Sequence, residues 1–397
     1  MKPPVLRGKP IVPPSQISRI RFSPCGKQLA AASHDATIKR WDVTGTEPKE
    51  LPSFSGHNGY VASLAFHPDK QRLFTCDTWG RLTGWNYLNG KVIWDVPTAH
   101  DGWLRAIALS PSGDTVATCG RDGFVRFWNA TTGKKAGEIS LGVDLFAMAY
   151  HPEGKSLVVG DLFGNICEIA LAKNTVERTI PVKAFHLLDR IQDVGGVRGL
   201  LFDAKAETLF ASGAQPKSGG FVQAFPLMQA IDWKTSKPGA SWKAPTDNEG
   251  FIHDVGLHPD GYLYAVTSGQ PGNGSLLFWK PGEAQPLFRT NIPNCHSVDL
   301  HPDGKYLAVA CTNANSSGNG RAKGKEYPSN YSPILFWNMG SNPAGARFSW
   351  SKSRFRSGVR LVFNSRRPAG MSGVLNILFT RHGRHDALPD SPRSSLV

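Results

Sequence analysis

The chain has 397 residues, of which 40% are hydrophobic and 19% charged, a normal globular balance. No apolar run approaches the ~18 residues of a membrane span, so this composition excludes a membrane-spanning class. The contents of Gly (42) and Pro (29) are high, as many short strands joined by tight turns require.

The formal net charge of +14 is unevenly distributed. Residues 341–397 hold ten Arg and Lys against two Asp, and so account for +8 of it. We expect a folded domain over residues 1–342 and an irregular, poorly ordered, Arg/Ser-rich basic extension over 343–397. Basic residues interleaved with Phe suit nucleic-acid contact, so the extension makes nucleic acid one candidate partner.

Two features indicate a reducing compartment. Residues 1–14 lack the apolar core of a signal peptide. None of the six cysteines forms a Cys-x-x-Cys pair, which supports neither a zinc ribbon nor a redox motif. We therefore expect a cytoplasmic protein whose cysteines are small apolar fillers, with no metal and no cofactor.

An apolar strand ending in one type of turn recurs seven times along the chain. The intervals are 44, 43, 41, 52, 55 and 43 residues, and such a period is typical of propeller blades. The strand ends and turns are Phe22-Ser23-Pro24, Phe66-His67-Pro68, Leu109-Ser110-Pro111, Tyr150-His151-Pro152, Phe202-Asp203-Ala204, Leu257-His258-Pro259 and Leu300-His301-Pro302.

The third repeat shows the pattern predicted for a whole blade. Residues 104–109 alternate large and small side chains, as an inner strand packed on both faces requires. A Pro-x-Gly turn follows, and then come predicted strands at 115–119, 124–128 and 135–141. The fold class predicted is therefore all-β, a seven-bladed propeller of four-stranded antiparallel blades.

These repeats resemble the WD40 family. Trp41-Asp42 is the signature dipeptide of that family, and Gly56-His57 matches its Gly-His position. The resemblance covers roughly residues 10–340 and implies seven blades. It also implies that a blade is closed by a strand from the other end of the chain, for which we favour Ile11-Val12 over the rival at 348–350.

The resemblance implies a structural tetrad of His, Ser/Thr, Asp and Trp in each blade. The tetrad is predicted to be complete only in the third repeat, as His100, Thr118, Asp122 and Trp128. In the second repeat, Trp79 stands where the aspartate is expected.

One face of the predicted ring carries the candidate binding residues. The links between blades and the turns between second and third strands open on this face, so residues at the start of each inner strand converge around the channel. Aromatic and Arg side chains at such positions are typical of interface anchors, and in the WD40 family this face is the usual partner site. The predicted partner-binding residues are Tyr60, Trp79, Trp103, Arg105, Arg121, Phe146, Arg198, Phe251, His253 and His296.

The same face carries longer connections over the last repeats. These are predicted at residues 184–196, 214–220, 237–250, 269–274 and 312–331.

Three functions remain open at this stage. The favoured one is a non-catalytic scaffold for a protein or peptide partner. The second is a nucleic-acid- or ribosome-associated factor that uses the basic extension. The third is a propeller-type hydrolase or metal enzyme in which His253, Asp254, His296 and Asp299 converge at the channel mouth. No phosphate loop, nucleophile elbow or His-Glu-x-x-His motif is present.

Overall fold

The computed structural model describes residues 3–69, 71–219, 223–270, 272–311 and 332–339. The predicted connection at 312–331 and the predicted extension at 343–397 lie outside the described residues. The domain boundary at residue 342 therefore stays a prediction.

The first four blades follow one another along the chain, each a four-stranded antiparallel sheet. Blade one contains β2 (Ile17–Phe22), β3 (Gln28–Ser33), β4 (Thr37–Asp42) and β5 (Lys49–Ser55). Blade two contains β6 (Val61–Phe66), β7 (Arg72–Asp77), β8 (Leu82–Asn86) and β9 (Lys91–Val96). Blade three contains β10 (Leu104–Leu109), β11 (Thr115–Gly120), β12 (Phe124–Asn129) and β13 (Lys135–Ser140). Blade four contains β14 (Leu145–Tyr150), β15 (Ser156–Asp161), β16 (Asn165–Ala170) and β17 (Thr175–Pro181).

The last three blades differ in how they are connected. Between blades four and five lie a short 3-10 helix (Lys183–Phe185) and a separate hairpin of β18 (His186–Asp189) and β19 (Gln192–Gly195). Blade five contains β20 (Val197–Phe202), β21 (Thr208–Pro216), β22 (Ala224–Asp232) and β23 (Pro238–Lys243). Blade six contains β24 (Phe251–Leu257), β25 (Leu263–Ser268), β26 (Gly274–Trp279) and β27 (Phe288–Asn291). Blade seven contains β28 (Cys295–Leu300), β29 (Tyr306–Cys311), β30 (Ile334–Asn338) and β1 (Val5–Ile11).

The seven inner strands form a closed ring, which confirms the predicted fold class. Each inner strand contacts the next in the order β2, β6, β10, β14, β20, β24 and β28, and β28 contacts β2 again. Among the described residues, no helix has the length and apolar character needed to cross a membrane.

The N-terminal strand closes the ring. β1 pairs antiparallel with β30 as the outer strand of blade seven, with Val5 opposite Asn338 and Ile11 opposite Ile334. This confirms the predicted use of an N-terminal strand, although the strand begins six residues before Ile11. Blade seven therefore joins both ends of the propeller, and β1 covers what would otherwise be the open edge of β30.

The hydrophobic core is divided among the interfaces between blades. In the described part of the chain, seven buried clusters each join two neighbouring blades; one of them packs Ile20 and Trp41 of blade one against Tyr306 and Phe336 of blade seven. Trp41, Trp85, Trp128 and Trp279, near the ends of third strands, are at most 4% exposed. Each blade thus buries both faces only because it has two neighbours.

Histidines in the turns after the inner strands join neighbouring blades. The Nε2 atom of His67 in blade two donates to the carbonyl oxygen of Gly113 in blade three over 2.9 Å. His301 in blade seven makes the same contact with Gly26 in blade one over 2.9 Å. These residues lie in turns, as predicted, and they also connect blades, which the sequence pattern does not indicate.

The other two turn histidines lack this bond. The His151 ring packs against Phe202 and Trp233 of blade five, with ring centroids 5.0 and 5.6 Å away. The Nε2 atom of His258 is buried and has no hydrogen-bond partner among the described residues.

We predict that Gly113→Ala destabilises the propeller more than Gly154→Ala, its equivalent in the next blade. Both glycines have positive φ, +81° and +71°, so each alanine pays about 1 kcal/mol of backbone strain. A Cβ on Gly113 would lie 2.5 Å from His67 Nε2, whereas a Cβ on Gly154 meets only Pro111 at 3.7 Å. Displacing His67 adds about 1 kcal/mol for the lost hydrogen bond.

The measurement is the free energy of unfolding of the two variants in urea. A larger loss for Gly113→Ala is expected. Equal losses would show that the contact between His67 and Gly113 does not stabilise the blade interface.

Candidate binding site at the channel mouth

The candidate site lies on the loop face, which is the face formed by the links between blades and the turns between second and third strands. In blade two the backbone of Tyr60 exchanges hydrogen bonds with Thr78, and in blade three the Arg121 N–H donates to the Trp103 carbonyl oxygen. The link before a blade and the turn between its second and third strands are therefore hydrogen-bonded to each other. This agrees with the prediction that links and turns open on the same face.

A β-bulge at one position in every inner strand builds the channel mouth. In blade three Leu104 is opposite Gly120 and Ala106 is opposite Cys119, so Arg105 is the extra residue. A bulge re-aims the side chain it carries and often lies beside a functional site. The equivalent extra residues in the seven blades are Ser18, Ala62, Arg105, Phe146, Arg198, His253 and His296.

Aromatic rings and guanidinium groups alternate around half of the mouth. The Arg105 guanidinium lies 5.1 Å from the Trp103 ring and 4.3 Å from the Phe146 ring. The Arg198 guanidinium lies 3.8 Å from Phe146 on its other side and 5.0 Å from Phe251. These five residues come from blades three to six and form stacked cation–π contacts.

The stack continues through histidines. The Phe251 and His253 rings are 6.3 Å apart, and the His253 and His296 rings are 4.3 Å apart. Burial is the largest cause that lowers the pKa of His253 well below its usual value; it also lowers the pKa of His296, to about 4. Both rings are therefore neutral at pH 7. We call the seven residues from Trp103 to His296 the mouth ring: Trp103, Arg105, Phe146, Arg198, Phe251, His253 and His296.

Three of the predicted residues project aromatic surface to solvent. Trp79 is 67% exposed, Tyr60 54% and Trp103 48%. The Tyr60 ring stacks on His34 with ring centroids 4.6 Å apart. Arg121 is also exposed. The structure therefore brings all ten predicted residues to the loop face, while their role in partner binding stays a prediction.

A cluster of ion pairs lies deeper in the channel. Asp254 of blade six is 5% exposed and binds Arg19 at 2.6 Å and Arg21 at 2.8 Å, both from blade one. Ser297 of blade seven donates its hydroxyl to Asp254 over 2.6 Å. Burial would raise the pKa of Asp254, but Arg19 and Arg21 outweigh it and lower that pKa to about 2.

These ion pairs bear on the predicted catalytic cluster. The structure does bring His253 and His296 together, but among the described residues no hydrogen bond joins either ring to Asp254 or Asp299. Asp299 accepts the Phe22 N–H over 2.6 Å, and burial raises its pKa to about 6. In the described part of the chain, no group of three or more His, Cys, Asp or Glu side chains is arranged to hold a metal ion.

The channel contains a cavity of about 430 Å³ between the mouth ring and the ion pairs. Phe146, Arg198 and His253 of the mouth ring line it, together with Arg19 and Arg21 of the ion pairs. The arginines on blade one were missed in the sequence because every other blade has a different residue type at their positions. The sequence does contain a signal for this cluster: at these inner-strand positions, charged residues replace small ones on blades one, six and seven.

The hairpin of β18 and β19 is a second feature of the loop face. Its tip exposes Ile191 at 92% and Leu188 at 60%. The Asp189 carboxylate accepts hydrogen bonds from the Ser218 hydroxyl at 2.9 Å and the Gly219 N–H at 3.0 Å, which anchor the hairpin to a turn of blade five. The sequence predicted a long connection here but not its structure.

The predicted tetrad residues form a hydrogen-bonded network in blade three. His100 Nδ1 lies 2.9 Å from the Asp122 carboxylate, and His100 Nε2 lies 2.8 Å from Thr118 Oγ1. Trp128 Nε1 donates to the same Thr118 oxygen over 2.8 Å. The network ties the link before the blade to its second and third strands.

The prediction that blade two lacks the tetrad aspartate is wrong. His57 Nδ1 lies 3.0 Å from Asp77, His57 Nε2 lies 2.6 Å from Thr75, and Trp85 Nε1 donates to Thr75 over 2.7 Å. Asp77 ends strand β7 at the position that Gly120 has in blade three. The carboxylate of Asp77 thus reaches the tetrad histidine of blade two from a position two residues before that of Asp122 in blade three. A comparison of turn positions alone does not show this.

Seven closed blades and two tetrad networks define a β-propeller of the WD-repeat type. The family model "WD domain, G-beta repeat" matches residues 9–42, 48–86 and 92–129. The chain therefore contains WD repeats, and the match covers its first three blades.

Curated relatives match over short segments. The chain is 37% identical over 79 residues to "Periodic tryptophan protein 2 homolog" of Schizosaccharomyces pombe, which is 19% of this chain and 8% of that protein. It is 40% identical over 72 residues to "Transcriptional corepressor LEUNIG_HOMOLOG" of Arabidopsis thaliana, covering 18% and 9%. It is 32% identical over 72 residues to "Target of rapamycin complex subunit LST8" of Saccharomyces cerevisiae, covering 18% and 23%. The matched segments thus span less than a quarter of each of these relatives.

We predict that Asp77→Asn removes an acid-sensitive part of the stability. Burial would raise the pKa of Asp77, but hydrogen bonds from His57 and from backbone N–H groups lower it to about 2. A carboxylate whose pKa is lowered by folding stabilises the protein above pH 4, and this contribution disappears as the pH falls from 4 to 2. At pH 7 the loss in Asp77→Asn should be about 2 kcal/mol.

Thermal unfolding between pH 7 and pH 2 measures this. The difference between the native chain and Asp77→Asn should shrink as the pH falls, whereas exposed Asp114→Asn should behave like the native chain. A constant difference at all pH values would contradict the role of the carboxylate.

We predict that Asp189→Ala loosens the hairpin without changing the propeller. The substitution removes the two hydrogen bonds, from Ser218 and Gly219, that hold the hairpin to the turn of blade five. Amide exchange in residues 186–195 should therefore accelerate roughly fivefold, while the unfolding temperature stays constant. Hydrogen exchange with mass spectrometry measures both, with exposed Asp260→Ala as control. Unchanged exchange would show that the turn of blade five does not anchor the hairpin.

Proposed function

We propose that this chain is a non-catalytic cytoplasmic scaffold whose loop face binds a protein or peptide partner. The observation that carries the proposal is the exposed aromatic surface of Tyr60, Trp79 and Trp103 beside the stacked mouth ring. Large aromatic and Arg side chains dominate the binding energy of protein interfaces, and clustered exposed apolar surface marks interaction sites.

The mouth ring is preorganised for binding. Arg105 is held by two hydrogen bonds to Asp144, at 2.9 and 2.7 Å, and Arg198 by two to the Gly195 carbonyl oxygen. Side chains that are already ordered lose little conformational entropy when a partner docks. The names of two relatives, a complex subunit and a corepressor, agree with a role in an assembly.

The geometry offers less support for the hydrolase. Asp254 has its charge engaged by Arg19 and Arg21, so it is not available as a base for His253 or His296. The nucleic-acid alternative depends on residues 343–397, which lie outside the described residues.

We predict that Tyr60→Ala with Trp103→Ala abolishes capture of the partner. The substitutions remove exposed rings and leave the blade cores intact, so folding should be preserved. The matched control is Leu88→Ala with Val92→Ala, which changes residues that are 58% and 51% exposed and lie outside the loop face. Affinity capture from native lysate with the full chain and both double variants measures the effect.

A partner retained by the control and lost by the loop-face variant is expected. Loss with both variants, or with neither, would contradict the proposed face. A fourth bait that ends at Ser341 tests the alternative: recovery that is nuclease-sensitive and disappears with this truncation would identify a nucleic-acid-associated protein instead.

A further inference from the structure

Arg198 has no acidic partner among the described residues. Its Nε and Nη2 atoms donate to one carbonyl oxygen, that of Gly195, over 3.1 and 2.9 Å. No described hydrogen bond uses its Nη1 atom. Phe146 and Phe251 lie against the guanidinium on either side. The group is therefore held in a defined orientation by neutral contacts only.

The other charges of the channel are already compensated. Arg105 binds Asp144 through two hydrogen bonds, and Arg19 and Arg21 share Asp254. Asp299 lies near Arg21 and supplies a second negative charge at that depth. These pairs leave Arg198 without an ion-pair partner of its own among the described residues, because Asp144, whose charge also acts on Arg198, is hydrogen-bonded to Arg105.

This imbalance has an energetic consequence. Burial is the largest cause that lowers the pKa of Arg198, to about 10; the charge of Arg105 lowers it further, and the charge of Asp144 offsets only part of this. A partly buried cation without a counter-ion is costly, whereas a charge-assisted hydrogen bond to an incoming anion is about twice as strong as a neutral one. An anion would therefore gain more binding free energy at Arg198 than at an arginine that already has an ion-pair partner.

The mouth has room for one acidic side chain. Arg198, Phe146 and His253 line the cavity of about 430 Å³ that opens below the ring. One uncompensated positive charge matches the single negative charge of a carboxylate. A phosphoryl group carries close to two charges at pH 7, and the neighbouring arginines are already engaged by Asp144 and Asp254.

We propose that the partner presents an Asp or Glu side chain to Arg198 at the channel mouth. The carboxylate accepts hydrogen bonds from the free edge of the guanidinium, and the flanking residues of the partner contact Trp103, Tyr60 and the exposed hairpin tip. This inference rests on the proposed function, since it names the chemistry that the same face recognises.

The experiment uses a phage library of random heptapeptides, selected on the full chain. Parallel selections use Arg198→Met, which keeps an apolar side chain between the two rings, and Lys91→Met, which removes an exposed cation at the start of the outer strand β9, outside the loop face. Circular dichroism and unfolding temperature establish that each variant is folded. Arg198→Lys serves as a second variant that keeps the charge.

We expect peptides with one enriched Asp or Glu from the full chain and from Lys91→Met, and no such enrichment from Arg198→Met. In a synthetic peptide, Glu→Gln at the enriched position should weaken binding at least tenfold to the full chain. The same change should have little effect on Arg198→Met, and binding to Arg198→Lys should be intermediate.

The failures are distinguishable. Selected peptides that lose binding with Tyr60→Ala and Trp103→Ala but contain no acidic preference would overturn this inference and leave the proposed function standing. Peptides that bind independently of Tyr60, Trp103 and Arg198 would overturn both the inference and the proposed function. A phosphoserine peptide that binds tenfold more tightly than its Glu counterpart would identify a phosphoryl group as the ligand and overturn the carboxylate assignment.

Discussion

Closure of the ring is the constraint on which the rest of the structure depends. Each blade buries its two faces only against two neighbours, so the core exists as clusters between blades and not within them. The first and last blades meet where β1 completes blade seven. At the same junction Arg21 of blade one reaches past blade seven to Asp254 of blade six, and the Ile20 N–H donates to Ser297. Ring closure is therefore stabilised by strand β1 at the outer edge and by the ion pair of Arg21 with Asp254 near the channel axis.

The repeated bulge in the inner strands lets the side chains around the channel mouth differ from blade to blade while the ring itself stays regular. Regular alternation buries residues such as Leu104 and turns their neighbours away, whereas the extra residue of each bulge is left over the channel. A position that bears little on blade packing can accept very different side chains. At this position the seven blades accordingly carry Ser, Ala, Arg, Phe, Arg, His and His. The chemical character of the channel mouth is therefore set by residues that can be replaced without loss of the fold.

The sequence predicted the features that repeat and missed those that depend on one blade meeting another. The fold, the closing strand and the convergence of residues such as Arg105 and Phe146 follow from spacing, because register is the same in each blade. Asp77 was missed because a carboxylate can reach His57 from a second backbone position. The contact of His67 with Gly113, the anchoring of Asp189 and the pairing of Arg21 with Asp254 join residues up to 233 positions apart, and no local pattern encodes such pairs.

The ion pairs deep in the channel also decide the chemistry of its mouth. Asp254 and Asp144 are carboxylates close to the mouth ring, and each forms ion pairs with arginines on other strands. Were Asp254 free, the lower channel would offer a negative charge beneath His253 and favour a cationic ligand. Burial keeps the two histidines neutral. Because Arg19 and Arg21 hold the charge of Asp254, that carboxylate is not available as a partner for Arg198. The interactions that close the ring between blades six, seven and one thus set the polarity of the surface that blades three to six present.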